Sequence, residues 1–446
     1  MTDAKRLGLI LYFAGCAIFL FLAAVFQHSV GYAQLDFEDL YYGSKCLLQH
    51  HDPYIPSQIL DSFETDHRTL SDNPRAAVAV KSEIALYVNL PTAALLVAPL
   101  ALLPYNVASM IWLGITISGL LLSAFLIWRA AAEYAPRLAG VLVFVLLVNS
   151  AMLPVFGNAA GIVISLCIFA VWSFLTNRLA YFGILGMAIS LALKPHDVWL
   201  VWLYFLLAGG LLRKRALQSL ALTALFALAA VMWMSLSAPH WPREMLNVLQ
   251  TLSAHGGSND PGPSSTGGHS IGQIINLQAA LSLIRDNPHF YNPAAYLIIG
   301  VLIILWTIRT LHRPASIASH WLALATIACL SMLPIYHRAY DARLLLLAIP
   351  ACAYFWASKN RLRVGALLVA LIGIVCTGDL FWIVMIGVIN HLHLPPTGTA
   401  GFVSIALRSL PASGSLLVAG IFFLYAYWHT PSFASEASGP TLMANR

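Results

Sequence analysis

Residues 7–26 read LGLILYFAGCAIFLFLAAVF, a charge-free run directly behind Lys5-Arg6. The hydrocarbon core of a bilayer takes about 20 consecutive apolar residues to cross as a helix, so this stretch reads as a membrane-spanning segment. Its start is basic, but no small-residue cleavage site precedes Gln27 and His28. It therefore reads as a retained first helix rather than a signal peptide.

The rest of the chain follows the same pattern. Of 446 residues, 59% are hydrophobic and 9% charged, and the mean hydropathy is +0.78. A soluble domain carries about 25% charged residues because its surface faces water, so most of this surface must face lipid. Hydrocarbon cannot hydrogen-bond exposed backbone, which leaves helices or a closed barrel. The apolar runs are too long and uniform for barrel strands, which alternate residue by residue. The expectation is an all-α polytopic membrane protein with about 11–13 transmembrane helices, forming one domain over residues 1–430. Further candidate spans lie near 84–103, 106–128, 138–153, 157–176, 180–194, 198–212, 217–237, 294–311, 317–335, 342–357, 364–389 and 411–428.

Two sizeable polar stretches interrupt the apolar pattern, at about 27–83 and 239–292, and a short polar tail occupies 431–446. Loops of such length in a compact protein are functional or disordered. Basic residues cluster at the ends of apolar runs: Lys5-Arg6, Arg213 to Arg215, Arg309 with Arg313, and Lys359 to Arg363. Under the positive-inside rule these ends are cytoplasmic. Both polar stretches then lie outside, with the turns at Gly157-Asn158 and Lys194-His196 and the corner Tyr336–Arg343. The segment around Pro91, Pro99 and Pro104 breaks the parity of this count and reads as bent or re-entrant. The net charge of +6 is scattered, so no nucleic-acid partner is expected. Five of the six cysteines lie in apolar runs and only Cys46 in a loop, which excludes a disulfide framework.

Ionisable residues within a membrane protein are costly and mark functional positions. In the first loop Asp36, Glu38 and Asp39 follow closely on the first helix, with Tyr41 and Tyr54 nearby. A carboxylate held near apolar groups can have its pKa raised into the range of a general base; the plain alternative is a solvated acidic stretch. Lys194, between two apolar runs and next to His196 and Asp197, either snorkels to the interface or holds a phosphate. The corner carrying His337, Arg338, Tyr340, Asp341 and Arg343 is the densest polar patch, and an Asp341–Arg343 pair is its plain structural reading. There is no Gly-Lys-Ser/Thr phosphate loop, His-Glu-x-x-His or Cys-x-x-Cys. Neither a cofactor nor a metal is expected, and His50-His51 diverge as adjacent side chains.

These motifs, in order, resemble glycosyltransferase family 87, whose members have the GT-C fold and include polyprenyl-phosphate-mannose-dependent α-1,2-mannosyltransferases. The resemblance is carried by Asp36-Phe37, Tyr41, Gly43-Ser44, Leu47-Leu48 and Asp52-Pro53-Tyr54 in the first loop. It continues through Tyr87, Pro91, Pro99, Leu102 to Pro104 and Trp112, then Gly157-Asn158, Leu193-Lys194-Pro195, His269-Ser270-Ile271 and Pro334–His337. The chain departs from the family pattern at Gly157-Asn158, where a Gln is missing and the Asn is shifted. It departs again at Leu333 and Tyr336, which stand where Ser and Trp are usual. The resemblance implies a first-loop aspartate as general base, and the spacing to Pro53-Tyr54 selects Asp36 over Asp39. It further implies a lipid-linked sugar donor, a glycolipid or glycan acceptor, and a site on the extracytoplasmic side of a plasma or inner membrane of the cell envelope. Lys194, His337 and Arg338 are the candidates for the donor phosphate. Asp39, Tyr41, Tyr54, Asn158, His196, His269, Ser270, Tyr340, Asp341 and Arg343 are further site candidates. A transporter or flippase is the competing reading; it would place its ionisable groups near the membrane midplane in repeated halves.

Overall fold

A computed structural model describes residues 2–30, 34–66, 80–82, 84–263, 274–312, 316–393 and 398–430. Helices dominate, and among the described residues the only β-pairing is an isolated bridge between Ile274 and Arg338. Among the described residues, six helices are long and apolar enough to cross a membrane: Asp3–Ser29, Tyr105–Ala131, Pro136–Phe156, Gly210–Ser237, Pro288–His312 and Leu410–His429. A seventh crossing is formed if Arg363–Cys376 and Asp379–His391, bent by 57° at their junction, act as one span. The chain is a multi-pass α-helical membrane protein.

The other apolar runs are shorter helices: Pro91–Ala101, Ala160–Thr176, Ala180–Leu193, Pro195–Ala208 and Ile317–Leu330. At 1.5 Å rise per residue, a 14-residue helix reaches only about 21 Å, against a hydrocarbon core of about 30 Å. Two of them are interior elements. Ile317–Leu330 is buried continuously from Ser319 onward, and 13 of the 17 residues of Ala160–Thr176 are buried. A helix that is apolar on every face is either lipid-exposed or enclosed by protein, and hydropathy does not tell these apart. That accounts for the gap between 11–13 expected spans and the six or seven of full length. The segment after the first polar stretch is the short helix Pro91–Ala101, preceded by non-helical residues 87–90, in line with a bent rather than simply crossing segment.

Lipid-facing and protein-facing sides separate clearly on the first helix. Ile10, Phe13 and Phe21 are exposed, whereas Tyr12, Phe19 and Ala23 are buried. The helix crosses Pro136–Val148 at backbone contact: a Cβ on Gly140 would lie 2.7 Å from the Gly8 Cα. Close approach through small residues is how membrane helices gain dispersion contact without a hydrophobic drive. Several basic residues close helix ends in addition to any role in topology. Arg215 donates through Nη1 to the Phe174 carbonyl (2.9 Å) and through Nη2 to the Asn177 side chain, and Arg309 donates through Nε to the Tyr427 carbonyl (3.1 Å). Those carbonyls have no intrahelical partner, so cations near them satisfy both hydrogen bonding and the helix dipole.

The six cysteines are all free thiols. In the second polar stretch, buried Asp260 accepts from the Gly256 and Gly262 N–H groups (2.7 and 3.0 Å) and from the Tyr291 hydroxyl (2.7 Å). The stretch re-enters the core at 274–278. There Ile275 N donates to the His337 carbonyl (3.1 Å), Leu277 N to the Leu333 carbonyl (2.9 Å) and the Gln278 amide to the Pro334 carbonyl (2.5 Å).

Candidate functional site

Asp36 lies in the first turn of the helix Leu35–Leu48, where the helix dipole favours a carboxylate. Its position follows from the residues around it. Gln34, with φ of 60°, donates its backbone N–H to the Val155 carbonyl (2.6 Å), and Phe37 stacks on Trp112 with ring centroids 4.7 Å apart. Trp112 in turn donates through Nε1 to the Gly157 carbonyl (2.7 Å). Gly157 has φ of 67°, and a Cβ there would fall 2.8 Å from the Gln34 Cβ. Only glycine suits both the left-handed backbone and this approach, and the turn it makes points Asn158 at Asp36.

Asn158 is fully committed. Its Oδ1 accepts from the Ala160 N–H (2.8 Å), which fixes the amide orientation, while Nδ2 donates to Asp36 Oδ2 (2.7 Å) and to the Tyr340 hydroxyl (2.9 Å). Burial pushes the half-buried Asp36 carboxyl above the usual carboxylate range; the Arg338 guanidinium, the Asn158 hydrogen bond and Lys194 pull it part of the way back.

Lys194 stands at the break between Ala180–Leu193 and Pro195–Ala208, where the following proline excludes helical backbone. Its ammonium meets Asp341 Oδ1 at 2.5 Å and Asp197 Oδ2 at 3.1 Å, and sits 5.3 Å from the centroid of the Tyr340 ring. Burial alone would lower the Lys194 pKa; Asp197 and Asp341 outweigh it and raise it, so the group stays charged. Asp341 divides its oxygens: Oδ1 takes Lys194, and Oδ2 accepts the Arg338 N–H (2.8 Å), capping the 3₁₀ helix Ala339–Ala348.

His337 is almost fully buried (1% exposed), with Nδ1 3.1 Å from the Ile335 carbonyl and Nε2 3.4 Å from Asp197 Oδ1. Burial lowers its pKa, and Asp197 more than reverses this, for a net rise. His196 packs edge-on to His337, ring centroids 5.2 Å apart, and brings its own Nε2 to 3.3 Å from Asp197 Oδ1. Arg338 bonds the Tyr336 hydroxyl through Nε and lies over that ring.

One corner thus collects Asp36, Asn158, Lys194, His196, His337, Arg338, Tyr340 and Asp341. Other candidates lie elsewhere. Asp39 accepts from Asn89 (2.6 Å), whose carbonyl takes the Tyr54 hydroxyl (2.6 Å), and the Tyr41 hydroxyl donates to the Leu103 carbonyl (2.7 Å). These three hold the first polar stretch together. Arg343 does not pair with Asp341; its Nη2 faces Asp379 Oδ1 at 3.3 Å, while Asp379 Oδ2 accepts the Met152 N–H (2.7 Å). His269 and Ser270 lie outside the described residues. A cavity of about 570 Å³ between Tyr41, Lys45, Asp66 and the 101–106 turn lies apart from the corner, and its two charged groups neutralise each other as an ion pair.

Sequence reasoning left Asp197 out of the candidate set, although it is the carboxylate on which Lys194, His196 and His337 converge. Its signal was available: a carboxylate at the start of an apolar helix, three residues from a lysine. No known protein family, curated protein or solved structure matches the chain.

Proposed function

We propose that this protein is a membrane glycosyltransferase of GT-C type. In this reading it moves a sugar, mannose or a related hexose or pentose, from a polyprenyl-phosphate donor to a hydroxyl of a glycolipid or glycan on the extracytoplasmic face. The observation that carries the reading is the Asp36 carboxylate, held by Asn158, beside the fixed cations Lys194 and Arg338. Direct displacement needs both parts. The acceptor oxygen attacks the anomeric carbon as the bond to the phosphate oxygen breaks, with inversion. Asp36 takes the acceptor proton, and the phosphate leaves with the electron pair of the broken bond, met by cations already in place. A carboxylate raised by burial is a stronger base than one in water, and retaining part of its exposure lets an acceptor reach it. Lys194 and Arg338 are the groups that meet the phosphate. Burial of His337 against Asp197 fits it to orienting that carboxylate.

The test is Asp36→Asn in the purified protein, with a labelled polyprenyl-phosphate-mannose donor. Loss of a general base lowers turnover by about 10²–10⁴-fold, while donor binding stays near that of the parent. Normal turnover in the variant removes the base assignment. Movement of intact labelled lipid across vesicles without release of polyprenyl phosphate replaces the enzyme reading with that of a flippase.

A further inference from the structure

Side chains from two distant parts of the chain meet in the corner: His196, Asp197 and His337 each bring a ligand-type atom within 4.8 Å of the others. The Nε2 atoms of both histidines approach the same oxygen, Asp197 Oδ1, at 3.3 and 3.4 Å. Those separations are long for a charge-assisted hydrogen bond, which closes to about 2.7–2.9 Å. They match the edge of a tetrahedron about a cation with bonds of about 2.0–2.1 Å, which is about 3.3–3.4 Å. Neither Asp197 Oδ1 nor His337 Nε2 makes a hydrogen bond of good geometry, although both residues are buried.

The surroundings have the form of a metal site's outer shell. His337 Nδ1 faces the Ile335 carbonyl at 3.1 Å, so the proton of the neutral ring belongs on Nδ1 and Nε2 presents a lone pair. A backbone carbonyl behind a histidine is the usual device for fixing a metal ligand's tautomer. Lys194 takes the other oxygen of Asp197, leaving Oδ1 as a single-point donor. A lone pair aimed at a buried carboxylate oxygen is repulsive unless something positive lies between them. A proton on Nε2 is one remedy; it would draw the pair together into a short bond. A divalent ion is the other, and it keeps the edges at the lengths seen here.

We infer that His196, Asp197 and His337 form a binding site for a divalent transition-metal ion of the zinc class. Two imidazoles and one carboxylate suit Zn²⁺ and its first-row neighbours, whereas Mg²⁺ and Ca²⁺ prefer oxygen donors. His196, with 35% of its side chain exposed against 0% for His337 and 1% for Asp197, is the side from which an ion enters. The site stands independently of the glycosyl-transfer reading. It would also change the corner's charge: Asp36, Asp197 and Asp341 exceed Lys194 and Arg338 by one negative charge, and a divalent ion makes the balance positive.

The experiment uses the full chain in detergent, stripped with a chelator and titrated with Zn²⁺ by calorimetry, with Mg²⁺ as the comparison. One Zn²⁺ per chain is expected, Co²⁺ should give the intense visible bands of a four-coordinate site, and Mg²⁺ should not bind. His196→Ala, chosen because the side chain is the exposed ligand, should weaken Zn²⁺ binding at least tenfold with an unchanged melting temperature of the stripped protein. Asp197→Asn should abolish it. Folded parent protein that takes up no Zn²⁺, or a His196→Ala variant that binds Zn²⁺ as the parent does, overturns the site and leaves His337 as a protonated partner of Asp197.

Discussion

Replacing Asn158 by alanine tests the central pairing of the corner. The Asn158 amide donates to Asp36 Oδ2 over 2.7 Å, a bond that exists at full strength only when the carboxyl is ionised. Hydrogen bonds to charged groups are worth about 1.5–3 kcal/mol, and each pKa unit corresponds to about 1.4 kcal/mol. Removing the bond should therefore raise the Asp36 pKa by about 1–2 units, toward the lower figure because solvent reaches this half-buried group. The sign follows from the groups around it. Burial already holds Asp36 above its ordinary value and Asn158 opposes that shift, so without Asn158 the carboxylate forms only at higher pH. In a pH series of polyprenyl-phosphate release, the acid limb should move to higher pH by that amount. Turnover near the old limb then falls about 10–100-fold, while the alkaline plateau falls much less. An acid limb that stays in place, moves to lower pH, or gives way to an equal loss at every pH would refute the reasoning, since Asn158 would then position the site without tuning its base.

Two further substitutions probe the scaffold. Gly157→Ala places a Cβ against Gln34 and forces alanine to a φ of 67°, which costs about 1–3 kcal/mol. A lower melting temperature in detergent together with slower transfer is expected, and unchanged values of both would dismiss the turn as the device that aims Asn158. Arg343→Met strands the buried Asp379 carboxylate, and breaking a buried pair from one side costs about 3–5 kcal/mol. The double variant with Asp379→Asn should recover much of that loss in a thermal unfolding series; a double variant no more stable than the single one would show that the pair does not hold the bend.

The helical, lipid-exposed character of the chain was legible because it follows from composition and run length. Which apolar helices face lipid was not, since the stretches 317–335 and 217–237 both read as spans although Ile317–Leu330 is enclosed and Gly210–Ser237 largely exposed. Asp36, Asn158, Lys194, His337 and Asp341 stood out because each is a polar group set where an apolar chain makes polarity expensive. Their pairings did not, because partners lie more than a hundred residues apart. Arg343 illustrates the point: its nearest carboxylate in sequence is Asp341, but it is matched in space by Asp379. Asp379 itself carried a readable signal, a lone carboxylate inside the apolar stretch 364–389.

The separation of those partners also bears on how the protein is made. Asp36 and Asn158 are 122 residues apart, Lys194 and Asp341 are 147 apart, and Asn158 and Tyr340 are 182 apart. At a synthesis rate of about 5–20 residues per second, the roughly 300 residues from Asp36 to Asp341 emerge over about 15–60 s. Through that interval the early helices are being inserted while Asp36 and Lys194 wait for groups not yet translated. A chain arrested before the Pro334–Asp341 corner already has the Asp36–Asn158 and Lys194–Asp197 contacts but lacks the Tyr340 and Asp341 groups that join them. The corner is therefore closed late in synthesis, by the residues of 334–341.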